Sequence, residues 1–231
     1  MRRFGFTLAE VLVTLGIIGV VAALTMPQMT VRTQNMQLET ATLKYYSQIQ
    51  EAVQRHLVQN GLDELDASFD GAKFVEDNFK TALTCRVATA EEREAANEIE
   101  DQEAKDAAIA ALADSKDCFA NQYKTLNGAN NYLYTSMIAT QSAYVLNGGA
   151  SIQVQNGVNP RIFLDVNGVK GPNMLNRDMW QLRLSSDGSV VDVIQGTTPN
   201  EIETNLARCK EVDSNEGCFA GFVKNGFKFP Y

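Results

Sequence analysis

Histidine is almost absent from this chain: His56 is the single one among 231 residues. That excludes a histidine-rich metal centre and leaves one candidate base for any Ser-His-Asp or Cys-His arrangement. Positive charge is scarce too, with 20 Lys and Arg against 28 Asp and Glu and a net charge of −8. No basic cluster interrupts that balance, so the surface has little to set against phosphates, and nucleic acid is not expected as a partner. The four cysteines include no Cys-x-x-Cys pair, which argues against zinc and against thioredoxin-like exchange. Nucleophile-base spacing is missing as well, so an enzyme is not expected.

What remains, 45% apolar and 21% charged residues, suits one globular domain with an appendage. The appendage is at the start. Residues 6–26 carry one ionisable side chain, Glu10. As a helix at about 1.5 Å per residue the run covers roughly 30 Å, the hydrocarbon thickness of a bilayer. Arg2 and Arg3 precede it and the next basic residue is Arg32, so the positive-inside bias leaves the amino terminus in the cytoplasm and the bulk of the chain across the membrane. A cleaved secretory signal is the competing reading. The apolar stretch is long for one, and residues 27–32 offer no Ala-x-Ala cut site. A carboxylate within such a span costs on the order of 3 kcal/mol at mid-bilayer and less near an interface, so Glu10 either has a partner or lies shallow.

The run from Arg3 through Gly5, Phe6, Thr7, Leu8, Ala9 and Glu10 to Val13 resembles the leader and helix start of type IV pilins and type II secretion pseudopilins. The resemblance implies a leader, residues 1–5, cut by a prepilin peptidase between Gly5 and Phe6, with the new terminal Phe6 N-methylated. It makes Glu10 the residue that pairs with a neighbouring subunit's amino terminus during assembly, and puts Pro27 at the family's helix kink. Physical chemistry agrees. A carboxylate stored in lipid gains by meeting an amine, and proline lacks the amide hydrogen and clashes with the preceding turn. Gly16 and Gly19 permit close backbone approach, although their spacing is not GxxxG.

Residues 6–27 are thus read as the transmembrane half of a helix, and 28–60 as its amphipathic half. Leu38, Tyr45, Ile49, Val53 and Leu57 recur at helical steps with Met36 and Ala52 alongside, while Gln34, Glu39, Lys44, Glu51 and Arg55 occupy other faces. His56 falls at the surface or seam, and Gly61 stops a helix of roughly 80 Å. Residues 61–126 are read as a helical insertion. Phe74, Val75, Phe79 and Leu83 give one short amphipathic helix, and 90–113, rich in Ala and Glu, gives another. Its acidic run, Glu98 to Glu103, reads as a solvated face. From 127 to 231 the expectation is an antiparallel sheet ending in a disulfide region. Apolar or alternating runs at 143–146, 151–155, 161–166, 180–184 and 189–194 are separated by Asn147-Gly148, Asn156-Gly157, Asn167-Gly168 and Asp187-Gly188. The segments 165–180 and 218–229 resemble a loop-and-strand and a terminal strand-turn of pseudopilin-like proteins. The fold class is therefore α+β: a long amino-terminal helix packed on an antiparallel sheet, with a helical insertion.

Cys85, Cys118, Cys209 and Cys218 all follow the span, on the side where disulfides persist. Of three pairings, Cys85 with Cys118 and Cys209 with Cys218 join sequence neighbours. No cofactor is expected. Asp165, Asn167 and Asp178 could offer oxygen ligands to calcium, which some pseudopilins carry in a carboxy-terminal loop. An EF-hand count from Asp165 puts Asn176 where the bidentate acid belongs, which favours a turn held by Asx hydrogen bonds.

The resemblance implies a structural subunit of a type IV pilus-like filament or type II secretion pseudopilus. Its partners are copies of itself and other pilins or pseudopilins, a prepilin peptidase and an inner-membrane assembly platform. Its location is the inner membrane, single-pass, with the globular domain periplasmic or extracellular, and then the filament. The alternative is a membrane-anchored binding or adhesive protein, a minor pilin or DNA-uptake component.

Overall fold

The computed structural model describes residues 7–85, 90–102, 104–105, 118–120, 122–128, 131–133, 141–193, 203–204, 206–207, 209 and 218–230. The chain divides into two units, Met1–Gln37 and Leu38–Tyr231.

Helix α1 spans Leu8–Asn60 and is unbroken at Pro27. Its stop is a paired C-cap. Gly61, at φ 64°, donates to Val58 O and Leu62 donates to Leu57 O, the two bonds by which a left-handed glycine satisfies the last carbonyls. In the second unit, Leu38, Tyr45, Ile49, Ala52, Val53 and Leu57 are buried in one core, as the helical spacing predicts. Met36 is not among them. It is 57% exposed, because two residues amount to about 200° around a helix and carry it away from Leu38.

The sheet has six strands in the order β1-β4-β5-β6-β7-β8, antiparallel throughout. They are β1 (Thr81–Cys85), β4 (Ala143–Leu146), β5 (Ser151–Val154), β6 (Arg161–Asp165), β7 (Met179–Leu184) and β8 (Val190–Asp192). A separate hairpin pairs β2 (Gln122–Lys124) with β3 (Asn131–Leu133). Asparagine, aspartate and glycine turns connect the strands as their composition predicts. The glycine of the Asp187-Gly188 turn sits at φ 79°, where a side chain would be strained.

Strand alternation assigns the two faces. Tyr144, Ile152, Leu164, Trp180 and Leu182 join the α1 stripe in the main core. Ala143, Phe163 and Met179 face the other way and pack with Cys85, Cys118, Phe119 and Tyr123 in a second core. Leu164 stands opposite Trp180 in the β6–β7 register and Phe163 opposite Gln181, so a one-residue slip would exchange the two layers.

Three expectations are corrected. The short helix α2 covers Gly71–Asn78 and ends at Phe79, so Leu83 lies in β1. Pairing of Leu83 and Thr84 with Val145 and Tyr144 outweighs a helical spacing that four apolar residues cannot enforce alone. The insertion is therefore mixed: α2, the edge strand β1, a third helix α3 (Ala90–Asn97) and β2. The expected helix over 90–113 is interrupted, since α3 ends at Asn97 and residues 98–101 are not helical, while 103 and 106–113 lie outside the described residues. Finally, the terminal segment is not a strand-turn. Phe219–Lys224 is helix α4, with Phe219 and Phe222 buried. Their three-residue spacing lets both rings pack on Trp180, at 5.3 and 5.0 Å between centroids. Gly226 and Phe227 then close the helix as Gly61 and Leu62 close α1, donating to Val223 O and Phe222 O.

Candidate functional site

The start of α1 carries the first site. Thr7 and Glu10 are three residues apart, and each satisfies the other's end of the helix. The backbone N–H and hydroxyl of Thr7 donate to Glu10 Oε2, both at 2.8 Å, and Glu10 N–H donates to Thr7 Oγ1 at 3.3 Å. This is a capping box, in which a Thr-x-x-Glu spacing occupies amides that have no partner in the first turn. The Thr7-x-x-Glu10 signal was present in the sequence, yet reading Glu10 through its place in an apolar run overlooked Thr7. Gly5 and Phe6 lie outside the described residues.

Beyond the cap the helix is long and apolar enough to cross a membrane, and none of its most apolar window is buried. Leu12, Leu15, Ile17, Ile18, Val20 and Leu24 are all more than half exposed. Polar side chains in the run turn back on the helix: Thr14 donates to Val11 O and Thr25 to Val21 O. Nothing approaches within 4 Å of a Cβ built at Gly16 or Gly19. An apolar surface this large and this free of competing polar groups is compatible with membrane anchoring.

The second site is the loop between β6 and β7. Asp165 and Asp178 are both fully buried. Tyr123 Oη donates to Asp165 Oδ2 at 2.6 Å and Asn167 N–H donates to Asp165 Oδ1 at 3.2 Å. Asp178 accepts from Asn173 N–H at 2.7 Å and Met174 N–H at 2.6 Å, one bond to each carboxylate oxygen. Asn167 turns its amide nitrogen, the end that cannot ligate a cation, toward Lys170 O and Gly171 O. Hydrogen-bond donors thus converge on the two carboxylates, as in a loop held by Asx bonds, while Asn167 Oδ1 and Asn173 Oδ1 are buried with no hydrogen-bond partner among the described residues. Among the described residues no group of three or more His, Cys, Asp or Glu is placed to hold a metal. Burial, and then the neighbouring charge of Asp178, push Asp165 well above its ordinary value of 3.8. Burial raises Asp178 as well, against the lowering effect of its backbone donors.

The cysteines form two bonds, Cys85 with Cys118 and Cys209 with Cys218. The first ties edge strand β1 to the segment covering the sheet's second face, and the second ties the start of α4 to residue 209. His56 is half-buried, its ring edge-on to Phe69 and Phe74 at 5.5 and 5.7 Å, which fills the end of the seam and involves no nucleophile.

Comparison with known proteins adds one match. Residues 1–26 fit the family described as the prokaryotic N-terminal methylation motif, the signature of type IV pilin and pseudopilin precursors. The match takes in Gly5, Phe6, Thr7 and Glu10 and stops one residue before Pro27. The chain matches no curated protein and no solved structure.

Proposed function

We propose that the chain is a structural subunit of a type IV pilus-like filament or of a type II secretion pseudopilus, with no enzymatic role. The observation that carries this reading is the methylation motif over residues 1–26, whose residues from Leu8 onward open helix α1 with their large apolar side chains exposed. The motif and the helix are together compatible with membrane anchoring. In the proposed cycle a prepilin peptidase removes residues 1–5 and Phe6 is N-methylated. The helix stores the subunit in the inner membrane, with the disulfide-bonded domain on the far side. An assembly platform then moves the subunit into a filament, where the apolar surface exchanges lipid for the helices of other pilins.

Glu10 gives that exchange its specificity. Among the described residues its carboxylate is held by Thr7. In a filament it would meet the charged amine that cleavage creates on another subunit, an attraction strengthened by the low dielectric of packed helices. Pro27, at the end of the apolar run, would let the helix bend between lipid and filament.

Mass spectrometry of the mature protein tests the reading. A chain that starts at Phe6 and carries one added methyl group supports it; a chain that starts at Met1, or beyond residue 20, overturns it.

A further inference from the structure

A cleft of about 300 Å³ lies beside the second half of α1, lined by Lys44, Tyr45, Gln48, Arg55, Lys80 and Asn147, among others. Its charge opposes that of the chain. Lys44, Arg55 and Lys80 face one acid, Glu51, whose carboxylate is taken by Arg55 at 3.2 Å. Among the described residues, Lys44 and Lys80 have no carboxylate within ion-pair reach; Lys44 rests over the Tyr45 ring at 4.8 Å. The floor is the β4–β5 turn. Gly148 approaches so closely that a Cβ there would collide with the Tyr45 hydroxyl and stand 3.2 Å from Lys44 Nζ. Two ammonium groups without a carboxylate partner among the described residues, set beside a close-packed turn, make a receptor for carboxylates.

We infer that this cleft receives the acidic loop 63–70 of a second copy of the chain, and that the contact sets the stagger between copies. The inference rests on the filament reading above. The loop follows Gly61 at the end of α1 and exposes Asp63, Glu64, Asp66 and Asp70. No Lys or Arg occurs between Arg55 and Lys73. Asp66 is occupied by Ser68 and Asp70 caps α2, which leaves Asp63 and Glu64 without partners among the described residues.

Cleft and loop share one helix, so their axial separation is fixed. From Lys44 to the end of α1 at Asn60 is about 25 Å at 1.5 Å per residue. A parallel copy displaced by that amount along the helix brings its loop level with this cleft. Because the two patches differ, the contact is head-to-tail and repeats without closing, the geometry that generates a fibre in place of a dimer. Opposite charges across the contact also suppress out-of-register alignments.

Charge reversal in the full-length chain, expressed in cells that assemble it, is the test. Lys44→Glu with Lys80→Glu should lower the amount in sheared filaments by about tenfold or more relative to the membrane pool. Adding Asp63→Lys and Glu64→Lys to the same chain should restore it, since every subunit then presents both reversed partners. An unchanged membrane pool with both disulfides intact shows that the variants fold. If the cleft reversal leaves filament content unchanged, or if loss occurs without restoration, this contact is overturned while the filament reading stands. If the unsubstituted chain enters no filament, both fall.

Discussion

The indole N–H of Trp180 donates to the hydroxyl of Thr42 at 3.1 Å, at the centre of the main core. Thr42 donates in turn to Leu38 O at 2.8 Å, so one hydroxyl turns toward the helix backbone and receives the only tryptophan of the sheet. This pins the rotation of α1 over β7. Apolar packing alone tolerates small rotations of a helix on a sheet, whereas a buried donor with a single acceptor does not.

Thr42→Val is accordingly expected to cost about 1–3 kcal/mol, the penalty of stranding a buried N–H, although it keeps the shape of the side chain. Thr42→Ser should cost less because the acceptor survives. Denaturant unfolding of the purified full-length protein, followed by Trp180 fluorescence, checks both. Equal losses in the two variants would show that the methyl group matters and the hydrogen bond does not.

Glu10→Gln is expected to leave thermal unfolding of the globular part unchanged, because among the described residues the side chain bonds to Thr7, outside the globular core. Incorporation into filaments should fall while membrane insertion persists, as the charge that seeks a neighbour's amine is gone. Shearing or crosslinking measures it, and wild-type incorporation by the variant would reduce Glu10 to a helix cap.

The bond between Cys85 and Cys118 closes a 33-residue separation, for which the chain-entropy relation gives about 3–4 kcal/mol. Cys85→Ala with Cys118→Ala should lower unfolding stability by that order and loosen β1 first. Non-reducing peptide mapping of the parent protein should recover the pair, and a Cys85–Cys209 peptide would contradict it.

Asp165 and Asp178 both have raised carboxyl values in the folded protein. A group raised on folding binds its proton more tightly in the native state. Its contribution to stability is therefore full below the unfolded value, near 3.8 for Asp165, and is lost as pH rises through the folded value. Asp165→Asn should flatten that decline in a thermal-unfolding series from acid to neutral pH. A parent protein that gains stability from these residues as pH rises would show the opposite sign and refute the assignment.

Much of this fold was legible in the sequence because periodicity reported burial. Ile49 and Val53 recur at helical steps and are fully buried; 161–166 reads as a strand and Arg161–Asp165 is one. The reading failed where few residues had to decide. Phe79 and Leu83 fit a helix by spacing, but a sheet partner claimed Leu83. The segment 218–229 offers phenylalanines at intervals compatible with strand or helix, and Trp180, nearly forty residues earlier, selects the helix. At the amino terminus the reverse happened. Glu10 stood out as a charge among apolar residues, whereas the local spacing that makes Thr7 its partner passed unnoticed.

One amide settles a further matter. Gln50 reaches from α1 to the last strand, donating to Gly188 O and accepting from Val190 N–H, each at 3.0 Å. Asp192 accepts from Ala220 N–H at 3.0 Å at the other end of β8. At the opposite border of the sheet, β1 breaks its register between Thr81 and Leu83. Both borders are thereby blunted against like strands, one by side-chain and helix-amide bonds and one by irregularity. A subunit stored in a membrane and stacked into a filament, as proposed above, would otherwise risk pairing sheet to sheet. On that proposal, orderly polymerisation is left to the helix.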